Sequence, residues 1–392
     1  MEVMIYGQGS LLQPQYLFLH PKICMFTCPS HSTYVRVAQR FDSDGDDGPW
    51  SSFSIQAGTP AQTHRVFVST AISALWLILP VGCSADVATC PGERGNLYNT
   101  SASSTWREEG NRTLLIGEHL NINAAGTFGN DTVGLGIGGP VLQNQVVAGI
   151  ATGQFWLGML GINPKATNYT PTDPGQPSFM TTLRQQNLIP SIAYGYTAGN
   201  QYSELRTLTS PCFMLNHLVG LKTVLGSLTL GGYDSARFTP NDITFPLAPN
   251  ESRDLVVGIQ TIKSTDLNGK SHDLLNSGVS AHVDSSVAEI CLPAEACALF
   301  EQAFGLVYDP VNMLYPVNST WETTLKALNP NITFTLGNTV TGGPSVSITL
   351  PYAAFDLQGT WPKYTNSTRY FPLQRATDPS SSTLGRTFLQ EA

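Results

Sequence analysis

Gly58-Thr59-Pro60-Ala61-Gln62, followed by Val68-Ser69-Thr70-Ala71-Ile72-Ser73-Ala74-Leu75-Trp76-Leu77, is the stretch from which the rest of the chain can be read. On its N-terminal side Phe53-Ser54-Ile55-Gln56-Ala57 alternates apolar and polar residues, and His64-Arg65-Val66-Phe67-Val68 follows the Gly-Thr-Pro turn. Two strand-forming runs around such a turn predict an antiparallel hairpin with one face on a core and one in water. The run beyond, up to Val81, is apolar but carries Ser69, Thr70, Ser73 and Pro80. It is too short and too polar to cross a membrane.

Away from this hairpin the chain keeps the same character. Its 392 residues exceed one ordinary core and suit two. Only 12% are charged, while Gly numbers 36 and Pro 26, so short strands and many turns are expected rather than long helices. Helices are predicted over 178–187 and over 294–304, the latter opening after Pro293 with Glu295 in its first turn, where a carboxylate suits the helix dipole. Leu225-Gly226-Ser227-Leu228-Thr229-Leu230-Gly231-Gly232 opens a second strand-rich half with its own strand-and-turn motif around Asp284, which points to a duplicated architecture. The expected organisation is a leader or linker over 1–46, running into the acidic Asp42-Ser43-Asp44-Gly45-Asp46-Asp47-Gly48, then lobes at 47–195 and 196–392. Residues 203–221 break the rhythm and read as an insertion, either translated intron or a surface loop of small closure cost.

The net charge is −8 and no Lys/Arg cluster occurs, so a nucleic-acid partner is not expected. Asn-x-Ser/Thr acceptors stand at Asn99, Asn111, Asn130, Asn168, Asn250, Asn318, Asn331 and Asn366. That exceeds the roughly four that chance would yield in a chain so rich in Ser and Thr, and points to a secreted or cell-surface glycoprotein. Residues 1–30 nevertheless lack the order of a signal peptide: Glu2 sits where positive charge belongs, and Gln13-Pro14-Gln15 interrupts the apolar stretch. No transmembrane segment is predicted. Of seven cysteines, Cys83 and Cys90 bracket a short polar loop as a local disulfide would, although spacing alone proves no pairing; Cys291 and Cys297 are also close. Cys24 and Cys28 have no matching His or Cys cluster, and no metal or other cofactor is implied.

In this order the motifs resemble the pepsin-like aspartic proteases (peptidase family A1), with fungal members closest in character. The Gly-Thr-Pro turn and the run 68–77 are similar to the family's first active-site strand, Asp-Thr-Gly-Ser-Ser, one residue, then Leu-Trp. The Cys83…Cys90 loop matches, and Asn130-Asp131-Thr132-Val133 is similar to the segment after the family's flap. Gly158-Met159-Leu160-Gly161 resembles the element bracing the first catalytic loop, and Leu384-Gly385-Arg386-Thr387-Phe388-Leu389 the one bracing the second. Ala281-His282-Val283-Asp284-Ser285-Ser286 sits where the second Asp-Thr/Ser-Gly belongs. The resemblance covers about residue 50 to the end. It implies an all-β, two-lobed fold with few short helices and a central cleft. The chain stops before the family's last strands, so its C-terminal end reads as truncated.

The family's chemistry needs two carboxylates around one water, one acting as acid and one as base. Here Ser69 stands at the first Asp position, Ala71 at the Gly position and Ile72 where Ser is usual. The second motif keeps Asp284 but has Ser286 for Gly; Arg386 replaces an Asp, and an ungapped match puts His119 at the flap Tyr. A hydroxyl without a neighbouring base replaces no carboxylate, and no Gly-x-Ser-x-Gly elbow surrounds Ser69. His64 and His282 are strand histidines that could approach the cleft. The expected function is therefore that of a pseudoprotease, most simply a monomer, which keeps a peptide- or glycan-binding cleft with Asp284 as a vestige. The alternatives are an aspartic endopeptidase relying on Asp284 and a non-functional product of an incomplete gene.

Overall fold

The computed structural model describes residues 3–7, 16–18, 35–36, 39–114, 118–120, 122–136, 138–168, 175–200, 202, 224–235, 241–247 and 255–391, with side chains from residue 44 onward apart from Glu118 and Val224. The expected insertion at 203–221 and the sequon at Asn250 lie outside these residues. The predicted hairpin forms from Trp50–Ala57 and Gln62–Ser69, with Phe53 opposite Val66 and Ala57 opposite Gln62. Phe53, Ile55 and Ala57 are buried while Ser54 and Gln56 are half-exposed, as a pleat with one core face requires.

Around that hairpin an eight-stranded sheet builds the N-terminal lobe. Its order is Gln39–Asp44, Trp50–Ala57, Gln62–Ser69, Gly158–Gly161, Leu75–Ile78, Val141–Ile150, Ala125–Gly134, Arg107–Thr113. Trp76, Phe128, Leu160, Val66 and Phe53 fill its core, each buried side chain stabilising by about 1.5–3 kcal/mol. A second eight-stranded sheet forms the C-terminal lobe: Ser345–Pro351, Asn331–Gly337, Val256–Thr265, Val279–Val283, Thr383–Leu384, Ile290–Leu292 and Leu373–Arg375 in order, with Ser271–Asp273 against Val256–Thr265. Phe300, Phe334, Leu336 and Phe388 pack within it. A three-stranded sheet of Tyr315–Pro316, Thr368–Phe371 and Leu357–Gly359 lies at its side.

A six-stranded sheet joins the halves, in the order Phe245–Pro246, Tyr16–Phe18, Val3–Gly7, Ile192–Asn200, Val224–Leu230, Val35–Arg36. Two expectations meet this sheet. Residues 1–46, read as leader or linker, contribute three of its strands and, through Gln39–Asp44, one strand of the N-terminal sheet. The division between 195 and 196 falls inside the strand Ile192–Asn200. Four α-helices occur among the described residues. Phe179–Gln185, capped by Ser178, and Ala294–Phe304 lie where helices were predicted, and Ser319–Leu328 was not foreseen.

Candidate active site

Two strands deliver the site. Gln62–Ser69 ends on Ser69, and Val279–Val283 ends one residue before Asp284. Each is braced by a parallel strand in the same register. Leu160 lies opposite Val68 and Gly161 opposite Ser69; Leu384 lies opposite Val283, and the Asp284 amide donates to the Leu384 carbonyl at 3.2 Å. The bracing glycines are tight in the same way. A Cβ on Gly161 would sit 2.5 Å from the Ile72 carbonyl oxygen and 2.6 Å from that of Ala74. On Gly385 it would sit 2.3 Å and 2.6 Å from those of Glu289 and Val287. Ser69 thus occupies, in the first loop, the place that Asp284 occupies in the second.

The loops face one another through a reciprocal exchange. The Thr70 amide donates to Ser285 Oγ at 3.0 Å and the Ser285 amide to Thr70 Oγ1 at 3.1 Å, while the two hydroxyls donate onward to the carbonyls of Val283 and Val68. All four groups are buried, where a hydrogen bond has no water to compete with it. Beside them Ser69 Oγ accepts from the amides of Ala71 and Ile72 at 3.2 and 3.1 Å. Its two lone pairs are then occupied, so its proton points to Ser286 Oγ at 2.7 Å. The Ser286 amide donates to Asp284 Oδ1 at 2.8 Å.

The other oxygen of Asp284 is held by His119, whose Nε2 lies 2.9 Å from Oδ2. His119 sits in the turn Glu118–Leu120, within the loop joining Arg107–Thr113 to Ala125–Gly134, so the hairpin reaches across to the second lobe. Its ring stacks on His282 at 3.9 Å with 6° between planes. Burial penalises the charge on Asp284, but the hydrogen bond and charge of His119, joined by Ser286, prevail and hold the carboxyl below its ordinary range. Nδ1 of His119 is buried without a partner. His64 lies apart from this group, beside the Asn96 carbonyl and edge-on to Tyr98, and burial pushes its pKa down to about 4.

Arg386 lies under the second loop. Its Nη1 donates to the carbonyls of Ser285 and Ser286, both at 3.0 Å, its Nη2 reaches Asp47 Oδ2 at 2.7 Å, and the guanidinium lies over the rings of Trp50 and Phe67. Sequence reasoning named Arg386 only as a departure; the acidic run 42–48 held its partner. Burial opposes charge on Asp47, yet Arg386 and then Lys363 overcome it and lower its pKa. Burial and the charge of Asp47, partly offset by Lys363, push Asp46 up to about 7.

The remaining candidates are cysteines and sequons. Cys83 and Cys90 form a disulfide, whereas Cys291 and Cys297 are separate buried thiols. Asn99, Asn111, Asn168, Asn318, Asn331 and Asn366 are exposed. Asn130 differs from these: it lies in the strand Ala125–Gly134 with 7% of its surface exposed, next to Asp131, which accepts from Tyr98 and Thr105. No cluster of His, Cys, Asp and Glu suited to a metal occurs among the described residues. No described helix is long and apolar enough to cross a membrane.

Comparison with known proteins bears on the fold and the family. The aspartic proteinase from Irpex lacteus has a similar fold, with a TM-score of 0.56 at 19% identity, over 91% of this chain and 92% of that one. The family model for eukaryotic aspartyl proteases matches residues 52–392, and the chain belongs to that family. Similar proteins include secreted aspartic protease 8 of Candida albicans, 25% identical over 88% of this chain and 73% of that protein. Candidapepsin-2 of Candida parapsilosis is 26% identical over 80% and 66%.

Proposed function

We propose that this is a secreted pepsin-fold protein that does not hydrolyse peptides and keeps its cleft as a binding groove for an extended peptide. The observation carrying this reading is that the group facing the Asp284 loop is the Ser69 hydroxyl, with its proton given to Ser286 and its lone pairs to two amides. Acid hydrolysis by paired carboxylates requires one protonated and one ionised partner on a shared water. Here a single carboxylate is ionised and already bonded to an imidazole. Ser69 is no better placed as a nucleophile. Its hydroxyl bonds that of Ser286, His119 bonds Asp284 rather than Ser69, and Asp284 itself, with its pKa depressed, is a weak base. The exposed sequons and the secreted relatives support a route through the secretory pathway.

Digestion of denatured haemoglobin and a mixed peptide library between pH 3 and 6, with and without a statine-type inhibitor, tests the proposal. Folded protein is expected to cleave nothing and to match an Asp284→Ala variant, while retaining peptides of the library on a column. Inhibitor-sensitive cleavage that disappears in Asp284→Ala would establish instead an endopeptidase built on that carboxylate.

A further inference from the structure

A groove of about 760 Å³ lies on the C-terminal lobe, outside the cleft, with walls that include Val307, Pro316, Val317, Asn318, Trp321 and Thr368. Trp321 is fixed in it. Its Nε1 donates to the Phe304 carbonyl, and its ring covers Gly305 so closely that a Cβ there would lie 2.5 Å from a ring carbon. Val307 is 74% exposed and extends the apolar surface. Asn318 caps the helix Ser319–Leu328, its Oδ1 accepting from the Trp321 amide at 2.9 Å. That bond leaves Nδ2 facing outward on an exposed residue that begins the sequon Asn318-Ser319-Thr320. The pairing of Tyr315–Pro316 with Thr368–Phe371 brings Thr368, the last residue of the sequon Asn366-Ser367-Thr368, to the same groove.

We propose that Asn318 is N-glycosylated and that the first N-acetylglucosamine units of its glycan lie in this groove, against Trp321, Val307 and Pro316. The inference rests on the secretory route proposed above. In the transfer, Nδ2 bonds to the sugar C1 of a lipid-diphosphate oligosaccharide. The bond from C1 to the diphosphate oxygen breaks, the lipid diphosphate leaves with its electron pair, and one amide proton is lost. Oδ1 takes no part and keeps its lone pairs, so the helix cap survives the modification. A pyranose presents a face of C–H groups, and its N-acetyl group a methyl, both suited to an apolar wall with an indole in it. The groove then buries the first sugars instead of standing open to water.

The full chain secreted from a yeast host, analysed by glycopeptide mass spectrometry, with Thr320→Ala, Thr320→Ser and Asn366→Gln beside it, tests this. Thr320→Ala removes the sequon and leaves the Asn318 cap. It is expected to lose the glycan at 318, to bind an apolar fluorescent dye several-fold more strongly and to melt about 2 °C lower. Thr320→Ser and Asn366→Gln are expected to match the parent in both readouts. An unmodified Asn318 in a protein glycosylated at Asn99 or Asn331 overturns the inference and leaves the secretory reading standing. A glycan at Asn318 whose loss changes neither dye binding nor melting overturns the groove as its resting place. A chain that stays in the cell with every sequon bare overturns both readings.

Discussion

At Asp284 the balance between burial and partners decides what the residue can do. It is 1% exposed, and its charge is held by His119, Ser286 and little else. Its carboxyl lies below the ordinary aspartate value of about 3.9, so its stabilising contribution is complete above that pH and is lost as pH falls through the folded value. His119→Ala leaves a buried carboxylate short of its main partner. It is expected to lose about 2–4 kcal/mol at pH 6 and much less at pH 3, read from urea midpoints at the two pH values. An equal loss at both would show that the ion pair is not what the histidine supplies. Asp284 and Ser69 were legible as site positions because short motifs carry them. The pair between Asp284 and His119 was visible only as a substitution at an uncertain register, since nothing in a linear sequence says that a turn 165 residues away reaches the carboxylate.

Strands and turns make the two loops copies of one another. Gly161 and Gly385 each admit no Cβ against two carbonyls, and Thr70 and Ser285 exchange the same bonds. Thr70→Ala and Ser285→Ala are therefore each expected to cost about 2 kcal/mol, since each leaves a buried amide unpaired. The double variant should lose less than the sum, with a coupling near 1 kcal/mol measured by thermal denaturation. Additive losses would mean that the loops do not act as a unit. At this scale the hairpin at 50–69 and the helix Ala294–Phe304 were readable from alternation, a Gly/Pro turn and a proline start. The helix Ser319–Leu328 was not, because Thr320, Thr323 and Thr324 argue against helix. Its Asn318 cap and the Glu322–Lys326 pair, one turn apart, were the available signals.

Across the whole molecule the acidic run before the first hairpin is tied to the end of the chain. Arg386 bonds Asp47 over a separation of 339 residues while holding the carbonyls of the Asp284 loop. Arg386→Met leaves the half-buried Asp47 without its hydrogen-bonded cation, with Lys363 still near, and is expected to cost about 2–3 kcal/mol. Adding Asp47→Asn should recover part of it, and a double variant no more stable than the single one would separate the two residues. Asp46 has the opposite sign from Asp284. Its pKa is raised to about 7, so it is neutral without penalty below pH 4, and the penalty grows until pH passes that value. Asp46→Asn is therefore expected to raise the melting temperature by a few degrees at pH 8 and to leave it unchanged at pH 4. A uniform shift at both would place the effect in packing rather than charge.

The sequence by itself determined the family and the all-β class, because turns, strand alternation and motif order are local properties that survive in a linear reading. It also placed Ser69 and Asp284 at the corresponding positions of two similar motifs, since residue identity at a motif position requires no coordinates. The tertiary structure alone decided that His119 closes on Asp284, that Asp47 neutralises Arg386, and that Asn130 is buried while Asn318 stands at an apolar groove. Each of these depends on which residues long-range strand pairing brings within hydrogen-bond reach, and such contacts leave no periodic trace in the chain that makes them.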